Sequence, residues 1–198
     1  NGAAIYLLKP IVNEIFVSKD FSMLWLAIVG APGEDGTGAE RGAAYVFERT
    51  LGRADVWSEG YKITLSDGAD LDRFGGSVAI SGDRAIVGAS GSGAAYVFYR
   101  VGPGNWAVAP KITASDAALA FGFGSAGAIS GDTALVGAGG AELSHDVGRG
   151  AGAAYVFEFD LGGSGKWGER KKLLASDAAA FGGFGPPSGS WGHATRPA

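Results

Sequence analysis

One pattern recurs in fixed order along this chain, and it restricts the fold more tightly than any other feature. It reads Trp57, Lys62-Ile63, Ser66-Asp67, Phe74-Gly75, Gly82-Asp83, Ile86-Val87-Gly88-Ala89 and Gly93-Ala94-Ala95-Tyr96-Val97-Phe98. It returns as Trp106, Lys111-Ile112, Ser115-Asp116, Phe123-Gly124, Gly131-Asp132, Leu135-Val136-Gly137-Ala138 and Gly152-Ala153-Ala154-Tyr155-Val156-Phe157. A third copy is partial: Trp167, Lys172-Leu173, Ser176-Asp177 and Phe184-Gly185. Trp to Lys is 5 residues and Lys to Ser 4 in every copy, Asp to Phe is 7, and Phe to the Gly-Asp aspartate is 9 in the two full copies.

Self-similarity at a period of about fifty residues marks propellers and related arrays, in which one supersecondary unit is stacked on the next. Within the first full copy four apolar runs follow one another, at 62–65, 77–80, 84–89 and 94–99. Each is rich in β-branched, aromatic or small apolar residues and is closed by Gly, Asp or Ser, the pattern of short strands joined by tight turns. Four strands per repeat correspond to one propeller blade. The predicted fold is therefore all-β: a β-propeller of four-stranded antiparallel blades, with about three recognisable repeats plus terminal strands.

At the level of motifs the chain resembles the FG-GAP repeat of integrin α-chain propellers and of many bacterial secreted and surface proteins. The residues that carry the resemblance are Phe74-Gly75-Gly76-Ser77-Val78-Ala79, Val87-Gly88-Ala89, Val29-Gly30-Ala31-Pro32 and the Tyr-Val-Phe strands. It covers roughly residues 16–185 and implies a propeller, a binding or adhesion role, and a location outside the cell or at its surface. Because one fold hosts many functions, the function has to be argued from a site.

Composition narrows the alternatives. Of 198 residues 46% are hydrophobic and 18% charged, enough apolar material for a folded core. Glycine, at 36 residues without a collagen period, fits a chain of short strands and frequent turns. The net charge of −4, without any run of Lys or Arg, removes the electrostatic footprint of nucleic-acid binding. No apolar run reaches bilayer-spanning length; the longest, 21–29, reads as strand. The absence of Cys excludes disulfides, thiolate nucleophiles and Cys-based metal sites.

Along the chain, the repeats are expected to occupy residues 1–185: a degenerate copy at 16–49, clear copies at 57–98 and 106–157, and a partial copy at 167–185. Residues 186–198 read as a Pro/Gly/Ser-rich tail. In 1–15 the run Gly2-Ala3-Ala4-Ile5-Tyr6-Leu7 is read as the last strand of a blade, with a first strand as the alternative. The segment 17–25 lacks both the Gly after Phe16 and the Gly-Asp turn, so a strand pair there requires a different turn. The connectors 32–41 and 138–150 vary most, and variable loops on a regular scaffold are where recognition usually sits.

Several constellations could carry chemistry. Asp67, Asp70 and Asp72 place three carboxylates in six residues, a composition suited to Ca²⁺, which takes six to eight oxygen ligands. The competing reading is a turn cap at Asp67 with the other two solvated, since the other copies replace them with apolar residues. The calcium loop of integrin-type repeats is not carried over, because the corresponding turns offer only Asp83 and Asp132. Gly82-Asp83 and Gly131-Asp132 read as hairpin turns. Ser144-His145-Asp146 is adjacent in sequence, whereas a catalytic triad must converge from separate positions; His193 has no partner at metal-ligand spacing. Trp57, Trp106 and Trp167 recur at equivalent positions and are either sugar-stacking platforms or packing between blades.

The function expected is a non-catalytic binding or adhesion module that recognises a protein or glycan through propeller loops. A lectin-like propeller and an accessory domain of a secreted hydrolase are the alternatives. Partners are a protein or carbohydrate, with no nucleic acid and no membrane span. Phe16, Phe74, Phe123 and Phe184 lie 58, 49 and 61 residues apart, which marks three blades. The expectation is thus a part of a larger propeller or of an oligomer, with a compact four-bladed ring, in which residues 3–7 join 172–185, as the alternative.

Overall fold

The computed structural model describes residues 15–19, 25–35, 38–49, 56–142 and 150–176. Among them there are twelve strands and no helix, hence no helix long and apolar enough to cross a membrane. The strands form three antiparallel four-stranded sheets. The first sheet is β1 (Ile15–Lys19), β2 (Trp25–Ala31), β3 (Ala43–Arg49) and β4 (Trp57–Ile63), in that spatial order. The second is β5 (Phe74–Ser81), β6 (Arg84–Ala89), β7 (Ala94–Gly102) and β8 (Asn105–Val108). The third is β9 (Phe123–Ser130), β10 (Thr133–Ala138), β11 (Ala153–Phe159) and β12 (Trp167–Leu173). These sheets are propeller blades packed face to face, with β5 standing against β2 and β9 against β5 and β6.

The blade frame is offset from the sequence repeat, and this corrects one expectation. The strand that opens each repeat does not belong to the blade that follows it. Trp57–Ile63 hydrogen-bonds to β3, with Tyr45 opposite Lys62 and Arg49 opposite Trp57, so it closes the first blade. Likewise Ile112 pairs with Ala95, and Ala109 N donates to Val97 O, so this stretch flanks the second blade. Each blade therefore runs from a Phe-Gly pair to the next Trp-Lys strand, and the repeat straddles two blades.

The core lies between blades rather than within them. Strands β6 and β7 are apolar on both faces because each face meets a neighbour, the signature of a strand buried on two sides. One core joins Leu26, Ile28, Ala44, Val46 and Ile63 of the first blade to Phe74, Val87, Tyr96 and Phe98 of the second. The next joins Ile86, Ala95, Val97 and Ile112 of the second blade to Phe123, Val136, Tyr155 and Phe157 of the third. Every blade thus has an aromatic leading face and an aliphatic trailing face. On the leading face the Phe of Phe-Gly meets both aromatics of Tyr-Val-Phe edge-on. Centroids are 5.7 and 6.0 Å apart around Phe74, and 5.4 and 5.9 Å around Phe123. Edge-to-face pairs at such distances are favoured by the ring quadrupoles. As the repeat spacing implies, Phe74, Phe123, Tyr96 and Tyr155 are all buried.

Two glycines lock each pair of blades. Gly75 and Gly124 each have φ +89°, and a β-carbon on them would strike the carbonyl oxygens of Ala43 and Ala94 in the preceding blade. Their own carbonyl oxygens would in turn be struck by a β-carbon on Gly30 or Gly88. The Phe-Gly and Val-Gly-Ala motifs are thus two halves of one close backbone approach, which explains their joint recurrence. The outer strand β12 carries Glu169, Arg170, Lys171 and Lys172, a charged edge that opposes strand addition.

Candidate functional site

The loops at one end of the blades are laced into a shelf by backbone hydrogen bonds. The loop that leads into β5, residues 64–73, donates from Leu71 N to Ala39 O, from Arg73 N to Glu40 O and, at the start of β5, from Phe74 N to Arg41 O. It also accepts at Asp72 O from Gly91 N of the β6–β7 connector. The loop that leads into β9 is tied to the β10–β11 connector through Gly140 N to Phe121 O and Glu142 N to Leu119 O. Three of the four non-glycine residues with positive φ among the described residues sit on this shelf: Glu40 at 47°, Leu71 at 65° and Arg73 at 53°. Leucine in the left-handed region is strained, and such conformations persist only where surrounding contacts over-determine them.

The shelf mixes charge with exposed apolar tips. Arg41 Nε pairs with Asp70 Oδ1 at 3.1 Å, and Arg73 Nε with Glu40 Oε2 at 3.0 Å. Leu71, between Asp70 and Asp72, is 56% exposed, and Phe121, on the next lead-in loop, is 58% exposed. Leu71 was not among the residues singled out from the sequence, because nothing in its local pattern announces a leucine held at positive φ.

The three carboxylates of Asp67, Asp70 and Asp72 do not converge. Asp70 faces Arg41; Asp72 is buried and accepts from Ala69 N at 2.8 Å, which closes the loop on itself; Asp67 is exposed. Among the described residues no group of three His, Asp or Glu side chains is placed to hold a metal ion. The donor set does not fit calcium, which needs several oxygens around one point.

A carboxylate held by a Tyr and a Lys stands instead in the third blade and again in the first. Tyr155 hydroxyl donates to Asp116 Oδ1 at 2.8 Å and Lys172 Nζ to Asp116 Oδ2 at 2.6 Å, with the ammonium 5.4 Å from the Tyr155 ring centroid. Beside it Ser115 donates through N and Oγ to Glu169 at 2.8 and 3.0 Å. In the first blade Tyr45 and Lys62 both donate to Glu34, which takes the aspartate's place. Burial works to raise the Asp116 pKa, but the bonds from Lys172 and Tyr155 outweigh it and hold the carboxyl below its ordinary value. Burial, then the bond to Asp116, pushes the Tyr155 hydroxyl well above its ordinary value. Burial and the charges of Asp67 and Asp72 also raise Tyr96. Asp116 and Glu34 are each engaged by a Tyr and a Lys, charge-assisted bonds that brace the blade.

The recurring tryptophans sit at the other end of the sheets. Trp106 and Trp167 are buried and Trp57 is half-buried. Trp167 Nε1 donates to Tyr99 Oη of the second blade at 2.6 Å, and its ring lies 5.8 Å from Phe159. Buried rings such as Trp106 and Trp167 offer no platform for a sugar. Gly82-Asp83 and Gly131-Asp132 are two-residue hairpin loops with positive φ at Gly82 and Gly131, as a type II′ turn requires of its first residue. Their aspartates brace neighbours: Asp83 pairs with Arg100 at 3.6 Å, and Asp132 with Arg84. Arg100 also reaches Glu48 of the first blade at 3.6 Å, a link between residues 52 positions apart that no local motif announces. Ser144-His145-Asp146 and His193 lie outside the described residues, as do residues 1–14 and 177–198.

Three stacked four-stranded sheets joined by Phe-Gly and Val-Gly-Ala locks define a propeller-type repeat protein. The family model of the FG-GAP repeat matches residues 57–98 and 106–157, and these two stretches are FG-GAP repeats. No curated protein matches the chain.

Proposed function

We propose that this chain is a non-catalytic module, acting outside the cell, that binds a protein ligand on the loop shelf around Leu71. The observation that carries the reading is the strained, exposed Leu71 set between the Arg41–Asp70 and Arg73–Glu40 ion pairs, with Phe121 exposed on the adjoining loop. Apolar tips ringed by charge suit a protein surface, where a few desolvated side chains carry most of the energy and polar groups set register. Sugar recognition is less well supported, because two of the three recurring tryptophans, Trp106 and Trp167, are buried and Trp57 is half-buried. Probing the labelled chain against an extracellular-protein array and a glycan array tests this. Protein binding that is lost in Leu71→Asp, with the melting temperature unchanged, is the expected result. Binding confined to glycans, or reproducible turnover of ester, phosphate or glycoside substrates, would overturn it.

A further inference from the structure

The third blade presents a trailing face whose counterparts elsewhere are covered. In the first blade Ile28, Ala44 and Val46 of that face are buried under the second blade; in the second, Ala79, Ile86, Ala95 and Val97 are buried under the third. The equivalent residues of the third blade are Ala128, Leu135, Ala154 and Val156. Ala154 is buried, but Leu135 is 40% exposed, Ala128 is exposed and Val156 is half-buried, although the side chains are as apolar as those of the covered faces.

We infer that this face is the seat of the chain's own segment around Phe184-Gly185. At both existing junctions an aliphatic trailing face receives the same object: a Phe-Gly strand whose phenylalanine joins the aromatic leading face and whose glycine carbonyl presses on the Val-Gly-Ala glycine. The third blade repeats the receiving half in full, as Leu135-Val136-Gly137-Ala138. The delivering half follows at the established spacing. Lys172 to Ser176 is 4 residues and Asp177 to Phe184 is 7, as Lys111 to Ser115 and Asp116 to Phe123 are. The lead-in path is also begun, since Trp167–Leu173 closes the third blade as Trp57–Ile63 closes the first. Continuity with two interfaces of identical construction therefore assigns the occupant, and Gly185 is the residue that meets Gly137.

Cysteine crosslinking of the full 198-residue chain tests this, because the chain has no Cys of its own. A β-carbon on Gly127 would lie 3.4 Å from Ile86 Cγ2, so Ile86→Cys with Gly127→Cys is the positive control at the junction already seen. By repeat alignment the matching pair is Leu135→Cys with Ser188→Cys. The expected result is an oxidised monomer in yield similar to the control, reduced several-fold when Gly137→Val is added to block the glycine approach. No crosslink, or a yield indifferent to Gly137→Val, would overturn the assignment. A disulfide-linked dimer would overturn it too, in favour of a second copy on this face.

Discussion

The hydroxyl of Tyr155, on an inner strand of the third blade, donates to the carboxylate of Asp116, 39 positions earlier on the loop that leads into that blade. Since Lys172 holds the other oxygen, folding fixes the proton on tyrosine and the charge on aspartate. Asp116 has its pKa lowered from 3.8, so its contribution is present above that value and is lost as pH falls through the depressed folded one. Tyr155 has its pKa raised from 10.0, so its contribution is present below that value and is lost as pH rises towards the folded one.

Tyr155→Phe is therefore expected to make the alkaline fall in stability shallower, and Asp116→Asn the acid fall. At neutral pH Tyr155→Phe should cost about 1.5 kcal/mol, the low end for a hydrogen bond to a charged group because the carboxylate is part-exposed. Urea denaturation across the pH range reads both. An alkaline limb unchanged in Tyr155→Phe would sink this account.

The leading-face aromatics give a second expectation. Phe74 is fully buried against Tyr96 and Phe98 and bridges two blades, so Phe74→Ala should cost roughly 3–5 kcal/mol, the usual range for removing a buried aromatic ring. Phe123→Ala should match it, because its surroundings are the same. Urea melts of the two variants against the parent chain decide, and a loss below about 1 kcal/mol in either would mean that its pocket is not part of the cooperative core.

These two residues also show how far the sequence was legible. Fixed spacing identified the strands and the buried aromatics, because a repeat whose members pack on one another must keep their separation. It did not fix where one blade ends, since a periodic sequence has no intrinsic phase. The phase is set by backbone pairing, Trp57 opposite Arg49 and Lys62 opposite Tyr45, which no side-chain pattern records. Leu71 was illegible for another reason: its backbone conformation is imposed by the neighbouring connector through Ala39 O, a contact remote in sequence.

The separated carboxylates lead to a prediction about metal. Had Asp67, Asp70 and Asp72 formed a site, calcium at about a hundred times its Kd would add about 2.7 kcal/mol to stability. With Asp70 engaged by Arg41 and Asp72 by Ala69 N, no such gain is expected. Thermal melts with calcium and with chelator are the measurement; a calcium-dependent rise abolished by Asp70→Asn would overturn the reading.

The opposite end of the sheets makes the last prediction. Arg84, on the second blade, donates through Nη1 to Gly131 O at 2.8 Å and pairs with Asp132 on the third. Its guanidinium lies 4.8 Å from the Phe159 centroid and 5.7 Å from that of Tyr99. Three attractions therefore meet at one planar cation, and they differ in what screens them. The pair with Asp132, whose carboxylate is mostly exposed, is weakened by salt, whereas the stacking on Phe159 and the bond to the carbonyl are not. Asp132→Asn should thus cost under about 1 kcal/mol, and less in high salt. Arg84→Met keeps an aliphatic stem but loses all three, and should cost roughly 1–2 kcal/mol, of which only the ion-pair share falls in high salt, the rest combining the ranges for a cation over an aromatic face and a net hydrogen bond. Arg84→Lys should recover only part of this, since an ammonium has no plane to lay on the ring. Denaturation of the three variants at low and high ionic strength separates the contributions. Equal losses for Asp132→Asn and Arg84→Met would show that the ion pair alone joins the blades there.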